Sequence, residues 1–402
     1  MLDAIYIGQS GMSAYSKGLD VISNNVANLN TAGFKVGTPL YSDELFQNDS
    51  GAVPGSGGNA SNGAGVSVDT RRSSFAAGQT RTTGDSMNAA LDGNGFFVID
   101  RDGQMLYTRA GQFEYDASGV LVDSTTKAPI LVHNDSGSST SFNVSDYRVY
   151  PPTATTTLKL TGTLAGAGTS SYSLPAVTVV DAAGGTEKVT AKFSRSSTDA
   201  TDWTVEFDDA SGKSIGTGEV RFNADGTPKD GYNTVNITVS PANLTPFAVT
   251  VDFGAANSFN GVTNSGSGTT SQLQMLSQDG VQLGSLTGTS FDDFGKIKLT
   301  YSNGLTKTPA QLMLARVDEQ QQLTSIGSAL YTAPDNAQLQ IAPAQSAGIG
   351  RVVGGQIEQS NVDLTQQFSD LIIIQRGYQA SSQTTSIANE MIQTLLQMEQ
   401  HP

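Results

Sequence analysis

Three short runs and one pair of residues are the places where this sequence could do chemistry. Asp293-Phe294-Gly295 matches the metal-holding tripeptide of protein kinases. Nothing around it supplies the Gly-rich phosphate loop, the strand lysine or the catalytic loop that such chemistry needs. Gly348-Ile349-Gly350-Arg351-Val352-Val353-Gly354 approaches a dinucleotide fingerprint. Its last glycine comes one place late and no βαβ unit surrounds it, so it reads as a flexible turn. Glu114-Tyr115-Asp116-Ala117-Ser118-Gly119 echoes a calcium loop, but the twelfth position is Thr125 where a bidentate glutamate is required. That run reads as a hairpin turn. His133 and His401 are far apart and there is no cysteine, so the chain lacks the donors of an ordinary zinc site. The expectation is no catalytic, cofactor-binding or metal-binding residue, and no cofactor; the scattered carboxylates read as surface acids.

Composition narrows the classes further. The 402 residues leave room for two or three domains. Only 37% are hydrophobic and 44 are glycine, which suits many short strands and turns better than one large core. The formal net charge of −15 repels nucleic acid and anionic membrane surfaces. No stretch approaches the roughly 20 apolar residues of a membrane span. The opening Met1-Leu2-Asp3-Ala4-Ile5-Tyr6 has neither the basic leader nor the apolar core of a secretory signal, so export is expected to proceed without a cleaved one. The absence of cysteine fits a protein that works outside the reducing cytoplasm without disulfide staples.

The elements that remain are of two kinds. Residues 1–30 lack proline and place Ile5, Met12, Tyr15, Leu19, Ile22, Val26 and Leu29 at steps of 3, 4 or 7, with Gly8 at a skipped position. This is an a/d seam of period near 3.5. Asn30-Thr31-Ala32-Gly33 stops that helix, with Gly33 as terminator. At the far end Ser360-Asn361-Val362-Asp363 reads as an N-cap with an acid three residues on. A second helix then runs to about Glu399. Leu364, Phe368, Leu371, Gln375 and Tyr378 form its first seam, Gln379–Ser386 weakens it, and Ile387, Met391, Leu395 and Met398 resume it. A seam this short needs a partner.

Between the ends the pattern is β. Phe96–Ile99 and Met105–Tyr107 flank Asp102-Gly103, a strong hairpin signal. Residues 203–207, 235–239 and 249–253 alternate apolar and polar, and 296–301 and 312–317 add two more strands. Residues 47–67, 153–171 and 256–272 are rich in Gly, Ser, Thr, Asn or Ala and read as loops or linkers. The last two bracket a β-rich block that reads as one domain inserted in another. The expected division is a terminal helical domain (1–35 and 358–402), a linker and extended connecting segment (36–72), a β-rich body (73–149 and 286–357) and an inserted outer β-domain (150–285). The fold class is mainly β with α-helical termini, a discontinuous multi-domain chain whose two ends lie together.

One resemblance ties these parts to a role. Ser23-Asn24-Asn25-Val26-Ala27-Asn28-Leu29-Asn30-Thr31-Ala32-Gly33-Phe34-Lys35 resembles the N-terminal signature of the flagellar rod and hook proteins. Gln359-Ser360-Asn361-Val362-Asp363-Leu364 and Gln375-Arg376-Gly377-Tyr378-Gln379-Ala380 are similar to the C-terminal signature of that family. Leu91–Phe97 and Tyr107–Phe113 resemble its β-rich body. The length and the inserted block favour the hook branch over the shorter distal rod branch. The motif positions carried over are Asn24, Asn25, Asn28, Thr31, Gly33, Phe34, Lys35, Asn361, Asp363, Arg376 and Tyr378.

The resemblance implies a non-enzymatic subunit of a helical homopolymer, the flexible tubular joint that passes torque from rod and motor to filament. It implies terminal helices packed around a central channel, and outer β-domains that slide against neighbours. The implied partners are further copies of the chain, the flagellar rod, the hook cap and hook-filament junction proteins, and the flagellar type III export apparatus, without nucleic acid and without membrane insertion. The assembly residues expected on the first helix are Met12, Leu19, Ile22, Val26 and Leu29. On the second they are Leu364, Phe368, Leu371, Tyr378, Ile387, Met391, Leu395 and Met398. Seams of this kind are expected to bury their surface only when subunits stack. The alternatives are a distal rod subunit with an unusual insertion, which would form straight tubes, and a monomeric surface binding module or adhesin.

Overall fold

The computed structural model describes residues 2–45, 63–134, 137–168, 170–242, 244–334, 337–346 and 348–399. The chain divides into two units, each interrupted in sequence. The first comprises residues 1–145, 289–299 and 307–402, the second 146–288 and 300–306.

The first unit holds both terminal helices. Helix α1 spans Leu2–Ala27 and helix α2 spans Leu364–Glu399. They run antiparallel, with Asn25 beside Gln367 at one end and Gly8 beside Thr385 towards the other. Helix α1 stops at Ala27, a few residues before the expected terminator. The Asn28 side-chain amide donates to the Asn24 carbonyl at 2.9 Å, and Thr31 Oγ1 donates to Asn28 Oδ1 at 3.0 Å. Such local bonds compete with helix continuation. The cap of α2 is Asp363 rather than Ser360. Its Oδ1 accepts from the amides of Thr365 at 2.8 Å and Gln366 at 3.2 Å, leaving the chain before it free for other bonds.

The segment expected to be a linker and extended connecting segment, 36–72, contains a pair of strands. Strand β1 (Gly37–Leu45) pairs antiparallel with β2 (Gly63–Ser73) from Gly37↔Ser73 to Leu45↔Gly63. Residues 47–62 of the expected loop lie outside the described residues. The hairpin packs on α1, where Ser10 Oγ accepts from the amide of Val66 at 3.2 Å. Low apolar content hid it, because backbone pairing and one helix flank stabilise it rather than a core of its own.

The body of this unit is an eight-stranded sheet. Its central strands are Ala310–Val317, Phe96–Arg101 and Gln104–Thr108. Phe96, Phe97, Val98 and Ile99 are all buried because both faces of the sheet are covered. Phe75, Phe96 and Tyr331 meet edge to face on one side, with Phe75–Phe96 centroids 5.6 Å apart. Phe97 and Phe113 do so on the other at 5.0 Å. Asp102 (φ 53°) and Gly103 (φ 85°) make the tight turn the Asp-Gly pair demands.

The second unit has two sheets over one core. Four strands from Ser171–Val180 to Ser214–Arg221 form a meander. The facing sheet has Thr157–Ala165 at its centre, parallel to Phe247–Asp252 and Val262–Ser265 and antiparallel to Gln272–Gln278. Trp203, Phe193, Phe207 and Phe253 fill the space between. The composition of 153–171 and 256–272 had suggested linkers, yet each contains a strand. Leu158, Leu160 and Leu164 are fully buried while their polar neighbours are not, so a period of two outweighs the Thr and Gly content.

Candidate assembly surface

The seam between α1 and α2 is made mostly of small residues. On α1 the buried positions are Gly8, Gly11, Ala14, Gly18, Ile22 and Asn25, at helical spacing. A Cβ on Gly11 would stand 2.6 Å from Ser381 Oγ, and one on Gly377 would run into the Tyr15 ring. These glycines allow the helix backbones a close approach. On α2 the facing positions include Gln367, Ile374, Gly377, Ser381, Thr385 and Ala388. The polar Gln379–Ser386 stretch, read from sequence as a weakness in the seam, supplies Ser381 and Thr385 to it. The expectation that the seams bury surface only on stacking is therefore corrected, since part of that surface is buried within one chain.

The apolar positions named from sequence take a different place. Ile22 is buried, and Met12, Leu19, Val26, Leu29 and Leu371 are half-buried. Leu364, Phe368, Tyr378, Ile387, Met391, Leu395 and Met398 are exposed, Phe368 by 53% and Met398 by 74%. Ile372 and Ile373 join them. Small residues together with Ile374 satisfy most of the intramolecular contact, and most of the other large apolar residues of α2 face outward.

The motif residues cluster at the root of the two helices. Asn25 is buried; its Nδ2 donates to the Gly37 carbonyl at 2.8 Å and to Gln367 Oε1 at 2.7 Å, while its Oδ1 accepts from the Gly37 amide at 3.0 Å. One side chain thus ties α1, β1 and α2. Asn361 Oδ1 accepts from the Val36 amide at 2.7 Å, and its Nδ2 donates to the carbonyls of Ser74 and Ala76 at 2.8 and 3.0 Å. Gly33 has φ 68° and donates its amide to the Glu358 carbonyl at 2.8 Å. Asn24 and Phe34 are half-buried, Asp363 caps α2, and Arg376 lies on the exposed face of α2.

Lys35 is buried. Its Nζ lies 2.6 Å from Glu358 Oε1 and donates to the Ala76 carbonyl at 2.8 Å. Arg109 Nη1 reaches Glu358 Oε2 at 3.3 Å, and the guanidinium sits 5.0 Å from the Phe96 ring centroid. The Gly78 amide adds a 2.7 Å bond to Glu358 Oε1. Burial pulls the Lys35 ammonium and the Arg109 guanidinium below their ordinary values, with Glu358 opposing in both cases. Three chain segments remote in sequence therefore share one buried carboxylate. Glu358, Gly11 and Gly18 escaped the sequence reading, which had placed Gly8 only as a gap in the apolar seam. The available signal was an acid directly before the C-terminal motif and glycines three apart on an otherwise regular helix.

Among the described residues no cluster of His, Cys, Asp and Glu could hold a metal ion, and no helix is long and apolar enough to cross a membrane. The geometry is that of a rigid root carrying a helix pair with outward apolar residues.

Known proteins match both helical ends of the chain and part of the body between them. Residues 5–35 match the family model "Flagella basal body rod protein". Residues 90–145 match "Flagellar hook protein FlgE/F/G D1 domain", and 353–398 match "Flagellar basal body rod FlgEFG protein C-terminal". The chain is 28% identical to the flagellar hook protein FlgE of Escherichia coli, over 97% of this chain and 98% of that one. It is 27% identical to FlgE of Treponema pallidum, over 99% and 100%. A crystal structure of the Helicobacter pylori flagellar hook protein FlgE2 aligns with TM-score 0.45 and 13% identity, over 68% of this chain and 98% of that one. At both ends and in the body between them, the chain is similar to flagellar rod and hook proteins. The two hook-protein relatives named above match it over nearly its whole length.

Proposed function

We propose that this chain is the structural subunit of a bacterial flagellar hook, polymerising through its terminal helices into a tubular joint that carries torque to the filament. The observation that carries this reading is the outward apolar face of α2 on a helix pair whose internal contact is already complete. Exposed apolar patches of this kind mark association surfaces, and the copies that cover them are further copies of the same chain. The role is mechanical, and the hook stands outside the cell. Rod, cap and junction proteins are its neighbours at the tube ends, and the flagellar export apparatus delivers it. The root around Asn25, Glu358 and Asn361 gives the helix pair a fixed attachment through which load can pass.

Electron microscopy of the purified chain under polymerising conditions tests the reading. Curved, uniform tubes are expected, and a chain carrying Phe368→Asp with Ile372→Asp should remain monomeric while folding normally. Straight tubes would favour a rod subunit; tubes formed equally well by the variant would refute assembly through α2.

A further inference from the structure

The second unit carries a cleft on the outer face of one of its sheets, remote in sequence from both terminal helices. The strand Thr157–Ala165 turns Leu158 and Leu160 into the core and leaves Lys159 and Thr161 outside. On the neighbouring strands Val251 and Val235 are buried, which puts Asp252 and Thr234 on that same outer face. The pairings Lys159↔Asp252 and Asp252↔Thr234 set the three residues in one row. They floor a cleft of about 680 Å³, within the usual size of a small-ligand site.

Two exposed apolar side chains wall this cleft. Leu276 is 62% exposed because its strand bulges there: Lys159 pairs with Ser277 and Leu160 with Met275, so Leu276 is the extra residue. Phe259 is 68% exposed, in a loop closed by the Gly254–Gly261 bridge. The closure needs glycine, since Gly254 has φ 118° and a Cβ on it would stand 2.3 Å from the Asn260 carbonyl oxygen. Asp252 Oδ1 accepts from the Gly254 amide at 2.8 Å, and Asn233 Nδ2 donates to the Gly254 carbonyl at 2.9 Å. Asn223 Nδ2 donates to Asn257 Oδ1 at 2.9 Å, and the Asn257 amide donates to the Pro228 carbonyl at 2.9 Å. A large apolar ring is therefore held in water by a fixed backbone.

A fixed aromatic ring beside a polar, charge-balanced floor selects its occupant. An apolar ligand would strip water from Lys159 and Asp252 without replacing the lost bonds. An anion would meet Asp252, and a cation would meet Lys159. A neutral sugar suits both parts. The C–H face of a pyranose ring can cover Phe259 while its hydroxyls accept from Lys159 and donate to Asp252. We propose that this cleft binds a neutral oligosaccharide, with Phe259 as stacking platform, Leu276 as second apolar wall, and Lys159, Asp252 and Asn260 as hydroxyl partners. The proposal does not depend on assembly through the helices.

Saturation-transfer NMR on the full-length chain tests it, with cellotriose, maltotriose and chitotriose as probes. At least one of the three should receive saturation, strongest at its ring C–H protons. Phe259→Ala should weaken that binding roughly ten-fold or more, as loss of an aromatic anchor does. Phe294→Ala removes a ring of the first unit that is 54% exposed, and should leave binding unchanged. Both variants should melt with the wild type, because both side chains are at the surface. No transfer to any of the three sugars overturns the proposal. So does binding that survives Phe259→Ala, or that falls equally in Phe294→Ala. Self-association of the wild type that Phe259→Ala abolishes would make the cleft a protein contact, and overturns the proposal as well.

Discussion

Replacing Met391 and Leu395 together by serine separates assembly from folding. Both side chains are about half exposed on the free helix, at 53% and 50%. Full burial of such a side chain is worth roughly 1.5–3 kcal/mol, so covering the open half on assembly gains about 0.8–1.5 kcal/mol each. The double substitution should therefore cost about 1.5–3 kcal/mol of subunit contact, which raises the critical concentration roughly 10- to 150-fold. Folding of the single chain should change by no more than about 0.5 kcal/mol per site, as for other surface positions. Ile374→Ala is the counterpart. Ile374 is 6% exposed in the seam with α1, and its truncation should cost folding about 2–4 kcal/mol. Sedimentation gives the critical concentration and thermal melting gives the folding stability. A double variant that melts as early as Ile374→Ala, or polymerises like wild type, would refute the division between an inner small-residue seam and an outer apolar face.

Other outcomes follow from the root and the turns. Gly33→Ala places a Cβ 2.6 Å from the Arg109 carbonyl carbon at φ 68°, and should destabilise the first unit by on the order of 3 kcal/mol in denaturant titration. Acid should weaken the protein below about pH 4. The carboxyls of Asp116, Asp199, Asp209 and Asp225 are held below their ordinary value chiefly by hydrogen bonds from turn amides and hydroxyls. A depressed carboxyl contributes stability above its unfolded pKa and loses it as pH falls through the folded one, which melting at pH 7 and pH 3 will show. At the other extreme, burial pushes the Tyr115 hydroxyl up to about 12. Its contribution is complete below about pH 10 and lost as pH rises from there towards 12, so an alkaline titration should show stability falling across that window.

Much of this molecule was legible from one dimension. The two terminal helices follow from apolar spacing, the 96–108 hairpin from Asp102-Gly103, and the strands at 203–207, 235–239 and 249–253 from alternation, because each depends on residues close in sequence. The apolar residues of α2 were visible for the same reason. Which of them face inward was not. Periodicity reports that a helix has an apolar side and says nothing of which neighbour covers it; only the folded chain shows Gly8, Gly11, Ser381 and Thr385 filling the inner seam and leaving Phe368 and Met391 outside. The β1–β2 hairpin and the strand at Thr157–Ala165 were hidden because backbone pairing with distant segments, rather than composition, holds them in place. The buried Glu358 is the sharpest case. Its partners are 323 and 249 positions away in the chain, and a carboxylate becomes a structural centre only when the fold removes water from around Lys35 and Arg109 at once.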